Sequence, residues 1–206
     1  VFALQVGIDE TLKCNLAIED ADALFGRPMG IPKTGVFGLY DLIGIDLMAD
    51  VVVSLGNILP ADDAFHAVGA ANPAIAAMIA AGFTGDKGKG GFYCLDGTKR
   101  MARQFAGYEG NDMPPLKPAK TKLPAAAIAA AEASARQDEP LFMLLDGHDD
   151  QARFCRRVLG RILHYAASLV PSVTTTPQDI DDAMKLGFNW QRGPFEMIDA
   201  IGQQRF

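Results

Sequence analysis

One pattern occurs twice in this 206-residue chain and restricts its fold more than any other feature. The pattern is Gly-x-Phe-x-x-x-Asp-x-x-Gly, and each occurrence follows an acidic helical segment and a loop that contains Gly and Arg. The separation between the two occurrences is constant at all four positions. The four residues are Gly35, Phe37, Asp41 and Gly44 in the first occurrence, and Gly193, Phe195, Asp199 and Gly202 in the second occurrence. This agreement predicts one helical unit used twice.

Helical periodicity dominates the remaining sequence, and segments with alternating apolar and polar residues are nearly absent. Asn72-Pro73 predicts the start of a helix, because Asn caps a helix N-terminus and Pro is tolerated in the first turn. The clearest amphipathic helix is expected over 149–169. Phe188 and Trp190 are expected to anchor the core of the second copy. The fold class predicted from these patterns is all-α.

A short hairpin is the one expected exception. Asp96-Gly97 is typical of a tight hairpin turn, so a strand is predicted over 92–95. Residues 109–124 are rich in Pro, Lys and Gly, which is typical of a linker. The predicted domains are a first helical copy with the hairpin over 1–108, a linker with an Ala-rich helix over 109–140, and a shorter second copy over 141–206.

Composition excludes several function classes. A net charge of -6 argues against a nucleic-acid partner. No apolar run reaches the roughly 20 residues that span a bilayer, so no membrane span is expected. Cys14, Cys94 and Cys155 lack metal-ligand spacing and an adjacent base, and so few cysteines favour a reducing cytoplasm. Because both ends are abrupt, we expect the chain to be part of a longer protein.

Three segments carry a resemblance to a known family. They are GIPKTGVFGLYDLIGID over 30–46, GDKGKGGFY over 85–93 and GFNWQRGPFEMIDAIG over 187–202. In this order they resemble the C-terminal domain of 3-hydroxyacyl-CoA dehydrogenases, and the second copy is similar to the degenerate repeat of long, multi-domain members. The resemblance covers nearly the whole chain. It implies a helical subdomain, like the C-terminal domain of 6-phosphogluconate dehydrogenase, present as two tandem copies.

The resemblance also implies parts that this sequence lacks. Family members bind NAD in an N-terminal Rossmann domain and use a His-Glu pair to remove the hydroxyl proton of an acyl-CoA substrate in fatty-acid β-oxidation. No G-x-G-x-x-G stands here between a strand and a helix, and no candidate for the pair is present. We therefore expect no catalytic residue, cofactor site or metal site in this chain. The expected partners are its own Rossmann domain and a fused enoyl-CoA hydratase domain.

Candidate substrate-binding residues come from the loop in which the two copies differ. Pro32, Lys33 and Thr34 of the first copy correspond to Trp190, Gln191 and Arg192 of the second. Only one copy can face one active site, so residues that differ are better functional candidates than residues that are shared. A Lys ahead of a helix N-terminus suits an anion such as acyl-CoA. The alternative is a solvated Lys on a surface turn.

Lys87 and Lys89 form a second candidate, because two cations in a Gly-rich loop suit the phosphates of CoA. The alternative is an ordinary helix-to-strand turn with both lysines in water. Asp41 is shared by the copies, so a structural role is expected. Two other functions stay open for the chain: a packing module that imitates a dimer within one chain, and the helical domain of another dehydrogenase.

Overall fold

The structure, a computed structural model, describes residues 1–121, 123, 125–136 and 142–204. Helices account for most of it, as the sequence predicts. The α-helices are α1 (Phe2–Lys13), α2 (Ile18–Leu24), α3 (Phe37–Ile43), α4 (Ile45–Ile58), α5 (Pro73–Ala80), α6 (Ala125–Arg136), α7 (Phe142–Leu145), α8 (Asp150–Ser168), α9 (Pro177–Phe188) and α10 (Pro194–Ile201). Short 3₁₀ turns span Arg27–Met29 and Ala64–Ala67.

Local capping signals define several helix ends. Asn72 accepts hydrogen bonds from the backbone N–H groups of Ala74 and Ile75, which starts α5 at Pro73. Asp149 caps α8 in the same way through the N–H of Ala152. The all-α class and the Asn72 cap are therefore confirmed.

A three-stranded antiparallel sheet accompanies the helices. Its strands are β1 (Tyr93–Asp96), β2 (Lys99–Arg103) and β3 (Leu116–Pro118). In the β1–β2 hairpin Tyr93 pairs with Ala102, and on the other side of β2 Met101 pairs with Pro118. The predicted hairpin is confirmed, but the prediction of only one hairpin missed β3. This strand is short and lies in a Pro- and Lys-rich segment. It is held by pairing with β2, which a local sequence pattern does not reveal.

The described residues form two compact units whose boundaries differ from the predicted domains. The first unit comprises 1–22 and 36–121, and the second comprises 23–35 and the described residues of 122–206. The first extends past residue 108 because β3 pairs with β2. Residues 23–35 belong to the second because the Arg27–Met29 turn packs against α6. In the same unit the backbone N–H of Gln191 donates to the carbonyl of Gly30 at 2.8 Å.

Aromatic side chains form the centre of the first unit. The rings of Phe37 and Phe92 meet edge to face with centroids 4.9 Å apart, and Phe105 lies 5.6 Å from Phe92. All three side chains are buried. This cluster packs the start of α3 against the residues that precede β1, and so fixes the position of the GGFY segment.

The core of the second unit follows the amphipathic face predicted for α8. Phe154, Val158 and Leu163 are completely buried. Trp190 is buried as predicted, but Phe188 is 62% exposed, so its predicted core role is wrong. Phe188 is the last residue of α9, and the left-handed backbone of Asn189 (φ 55°) redirects the chain so that Trp190 enters the core instead.

None of the helices in the described residues is both long and apolar enough to cross a bilayer.

Candidate functional site

Asp22 is a buried carboxylate at the N-terminus of α3. It accepts hydrogen bonds from the backbone N–H groups of Val36 and Phe37 at 2.7 Å and of Gly38 at 2.9 Å. The hydroxyl of Tyr93 donates to it at 2.8 Å. Burial raises the pKa of Asp22 to about 6, although the four hydrogen bonds favour the ionised form. The acidic helix α2 therefore supplies the cap of the motif helix α3.

Asp181 has the same local role in the second unit. Its carboxylate accepts from the backbone N–H groups of Phe195 at 2.8 Å and Glu196 at 3.2 Å, at the start of α10. Gly193 is required here, because a Cβ at this position would lie 2.3 Å from the Cα of Asp181. Burial raises the pKa of Asp181. In both sequence copies an aspartate of the acidic helix thus holds the helix that follows the Gly-containing loop.

Asp41 connects α3 to the GGFY segment. It is 3% exposed and accepts from the backbone N–H groups of Phe92 and Tyr93, both at 2.8 Å. Burial, more than any other cause, raises the pKa of Asp41 to about 6. Asp199, its counterpart in the repeat, is exposed and accepts from Gln203. The two aspartates therefore occupy matching sequence positions without sharing a structural role.

The glycines of the GDKGKGG segment allow its backbone to approach Asp41 closely. A Cβ on Gly91 would lie 2.0 Å from the Oδ1 of Asp41, and one on Gly85 would lie 2.3 Å from the Asp41 carbonyl oxygen. Gly85 also has a φ of +107°, which disfavours any other residue. These contacts favour the structural interpretation of the glycines over a phosphate-binding one.

The two lysines of this segment differ in their contacts. Lys87 is exposed and makes no hydrogen bond or ion pair within the described part of the chain. Lys89 donates from Nζ to the carbonyl of Ala81 at 3.3 Å, where it faces the C-terminus of α5. A cation is favourable at that helix end. Lys89 thus has a structural contact, whereas Lys87 is available to a ligand.

An open cleft of about 450 Å³ lies beside this segment in the first unit. Lys89 lines it together with Arg100, whose guanidinium stacks on the ring of Tyr93 at 3.8 Å from the centroid. The carboxylates of Asp41 and Asp86 also line the cleft, so its charge is mixed. Sequence reasoning missed Arg100, although the Asp96-Gly97 turn places it opposite β1.

A second groove of the first unit is mostly apolar. It has a volume of about 310 Å³ and lies between α1, α4 and α5. Its polar element is a buried pair in which Gln5 donates to the hydroxyl of Tyr40 at 2.6 Å. Burial raises the pKa of Tyr40, so the phenol stays protonated and can donate in turn. The groove suits a chain of methylene groups.

The predicted loop residues Pro32, Lys33 and Thr34 lie in the second unit. Pro32 is half-buried, and Lys33 and Thr34 are exposed. Nearby in this unit, the backbone of Gly30 accepts the hydrogen bond from Gln191, which belongs to the diverged loop of the second copy. The five predicted substrate residues are therefore divided between the two units.

The residues present do not fit a dinucleotide such as NAD. The sheet of the described residues is antiparallel, whereas a Rossmann site needs a parallel strand followed by a Gly-rich turn and a helix. The Gly-rich segment 85–91 instead leads into β1. No step of dehydrogenation is assigned to this chain.

Comparison with known proteins agrees with this geometry. The chain matches the family described as 3-hydroxyacyl-CoA dehydrogenase, C-terminal domain, over residues 7–94 and 154–205. It belongs to this family. The two matched ranges of this 3-hydroxyacyl-CoA dehydrogenase C-terminal domain include α3 and α10, the two helices capped by Asp22 and Asp181.

Two curated relatives are several times longer than the chain. A Rickettsia prowazekii protein, provisionally named fatty acid oxidation complex trifunctional enzyme, is 31% identical over 96% of the chain and 25% of its own length. A Bacillus subtilis protein, provisionally named 3-hydroxyacyl-CoA dehydrogenase, is 29% identical over 98% of the chain and 24% of its own length. The chain thus spans about a quarter of these relatives. No solved structure matches it significantly.

Proposed function

We propose that this chain is the acyl-CoA-shaping part of an NAD-dependent L-3-hydroxyacyl-CoA dehydrogenase of fatty-acid β-oxidation. The parent protein would oxidise L-3-hydroxyacyl-CoA to 3-ketoacyl-CoA, with the hydride passing to NAD. The observation that carries the proposal is the family match over 7–94 and 154–205. The chain would pack on a Rossmann domain elsewhere in the parent protein, and that domain would supply the catalytic residues and bind NAD.

The substrate contacts proposed for this chain combine apolar and cationic surfaces. The apolar groove beside α1 would receive the acyl chain, because burial of methylene groups there is favourable. Lys87 and the loop of Pro32, Lys33 and Thr34 would face the phosphates of CoA. Exposure of Lys33 and Lys87 supports this role. Lys89 would contribute to the local positive charge while keeping its contact with Ala81.

The activity test requires the longer parent protein. With acetoacetyl-CoA and NADH, the reverse reaction should consume NADH, which is followed by its absorbance at 340 nm. The 206-residue chain alone should consume none but should bind acetoacetyl-CoA in calorimetry. Absence of NADH consumption by the parent protein would contradict the proposed activity, whereas turnover by the chain alone would contradict the assignment of catalysis to another domain.

Two further features of the parent protein belong to the same proposal. The Rickettsia prowazekii relative is named as a trifunctional enzyme, and more than one activity in one protein supports a fused enoyl-CoA hydratase domain. The small number of cysteines, three in the whole sequence, suits the reducing cytoplasm that we propose as its location. Hydration of crotonyl-CoA by the parent protein, followed at 263 nm, would test the fused domain.

A second candidate function is internal packing of two tandem copies that imitates a dimer within one chain. The matching caps formed by Asp22 and Asp181 support descent of both helical segments from one unit. The hydrogen bond from Gln191 to Gly30 supports packing of one copy's loop on the other's. Light scattering should then give the mass of a compact monomer. A tight dimer built only from surfaces of the first copy would contradict this idea.

A further inference from the structure

Cys94 differs from the other two cysteines in its accessibility. Cys14 and Cys155 are 2% and 0% exposed, whereas Cys94 is half-buried and lines the open cleft of about 450 Å³. Its thiol donates to the carbonyl of Gly91 at 3.8 Å. A small reagent in the cleft could therefore reach the Cys94 sulfur without unfolding of the chain.

A buried cation lies beside this sulfur. Arg103 is 3% exposed, and its guanidinium donates from Nη1 to the carbonyl of Pro114 at 2.9 Å and from Nε to that of Gly91 at 3.4 Å. Its Nη2 is buried without a hydrogen-bond partner in the described residues. Leaving a charged donor unsatisfied is costly, so an anion facing Nη2 would be stabilised.

Cys94 lies beside this guanidinium, because its thiol and the Nε of Arg103 both donate to the carbonyl of Gly91. Burial lowers the pKa of Arg103, and interactions with Cys94 and then with Asp41 oppose this effect. The carboxylate of Asp41 is already held by two backbone N–H groups. The negative charge that the Cys94 sulfur carries as it reacts would therefore lie beside the buried guanidinium.

The cleft around Cys94 is also lined by charged side chains, which attract or repel a charged reagent. Lys89 and Arg100 are cationic, Asp41 and Asp86 are anionic, and the Tyr93 ring stacks under Arg100. Asp41 is buried and held by two backbone N–H groups, so of the two lining carboxylates only that of Asp86 opposes the two exposed cations at the cleft mouth.

We propose that Cys94 is a reactive thiol that undergoes exchange with small anionic disulfides in this cleft. The Cys94 proton passes to solvent, and the thiolate attacks one sulfur of the disulfide. A new S–S bond forms to Cys94, the reagent's own S–S bond breaks, and the other half of the reagent leaves as a thiolate with the electron pair.

The test uses the full chain with the anionic disulfide 5,5′-dithiobis(2-nitrobenzoate). One thiol per chain should react in the native protein, and peptide mass spectrometry should place it at Cys94. Its rate should exceed that of Cys94 in the urea-unfolded chain by about threefold or more. A merely accessible thiol reacts more slowly when folded, so a slower native reaction would overturn the proposal. Cys94→Ser should abolish the fast reaction.

Two variants separate the roles of the neighbouring cations. Arg103→Met should slow the native reaction about tenfold; an unchanged rate in a folded variant would overturn the role of the guanidinium. Since loss of this buried residue can prevent folding, Arg100→Gln provides an independent test. This substitution should slow the reaction with the anionic reagent about two- to fivefold but leave the rate with the neutral 4,4′-dithiodipyridine unchanged. Equal effects on both reagents would contradict the contribution of Arg100.

Discussion

The hydroxyl of Tyr93 donates a 2.8 Å hydrogen bond to the carboxylate of Asp22, which lies 71 residues earlier in the chain. Asp22 also caps α3, and Tyr93 is the first residue of β1. One carboxylate therefore joins the acidic helix, the motif helix and the sheet of the first unit. This arrangement explains why the segments come together although they are separated in sequence.

Removal of the Tyr93 hydroxyl should show how much its hydrogen bond to Asp22 contributes to the free energy of unfolding. Tyr93→Phe deletes one hydrogen bond to a charged, buried acceptor while the ring keeps its packing. We expect the free energy of unfolding to fall by about 2 kcal/mol. Urea denaturation monitored by circular dichroism measures this change.

A matched control is Tyr108→Phe. The Tyr108 hydroxyl also donates to a carboxylate, that of Asp112, but at an exposed site. Its removal should change the free energy of unfolding much less than Tyr93→Phe does, because surface substitutions have small effects. Equal losses in the two variants would mean that burial of Asp22 does not strengthen the Tyr93 bond.

The two buried aspartates should make stability depend on pH. Burial raises the pKa of both Asp22 and Asp41 from 3.8 to about 6, so the folded chain binds more protons than the unfolded chain between these values. The free energy of unfolding contributed by each group should therefore rise as the pH falls from 7 to 5, by about 1 kcal/mol. Urea denaturation at both pH values tests the sign.

Asp41→Asn isolates this effect from the other carboxylates. The variant should be less stable than the wild type at pH 7, because the amide group of Asn repels one of the two backbone donors. Between pH 7 and pH 5, the free energy of unfolding of the variant should rise by about 1 kcal/mol less than that of the wild type. An identical pH dependence in both proteins would refute the assignment to Asp41.

Gly91 should tolerate no side chain. In Gly91→Ala the new Cβ would lie 2.0 Å from the Asp41 carboxylate, so the start of β1 must move away from α3. We expect a loss of about 3 kcal/mol, typical of a buried hydrogen-bond network that is broken. Thermal denaturation measures it. Gly56→Ala in α4 is the control, since a Cβ there meets nothing within 4 Å. It should leave stability unchanged or raise it by up to about 1 kcal/mol.

Sequence patterns predict the helices well because helix signals are local. Asn72 and Asp149 cap the helices that directly follow them, and the sequence predicts the starts of both helices to within about two residues. The partners of Asp41 lie 51 and 52 residues later in the chain, and those of Arg103 lie in the segments before β1 and before β3, so neither contact follows from periodicity. β3 was missed for the same reason. For Cys94, the Asp96-Gly97 turn was the available signal, since a hairpin at this turn places the arginines of β2 beside β1.

The proposed cationic contacts with CoA give a prediction for the lysines. Lys33→Gln and Lys87→Gln should each weaken CoA binding about two- to fivefold in calorimetry, as expected for one exposed ion pair. Stability should not change, because both side chains are exposed and neither makes a hydrogen bond or ion pair within the described part of the chain. Lys89→Gln should instead lower stability slightly through loss of the Ala81 contact. Lys99→Gln, an exposed β2 variant outside the proposed contacts, is the control and should bind CoA normally.

The assignment of residues 23–35 to the second unit has a consequence for deletion experiments and for gene evolution. The polypeptide passes from one unit to the other after residues 22, 35 and 121, so no single cut yields both units intact. Deletion of everything beyond 121 would leave the 23–35 loop without α6, on which it packs. Loss of the second half of such a gene would therefore damage the first half of the protein, where residues 23–35 lie.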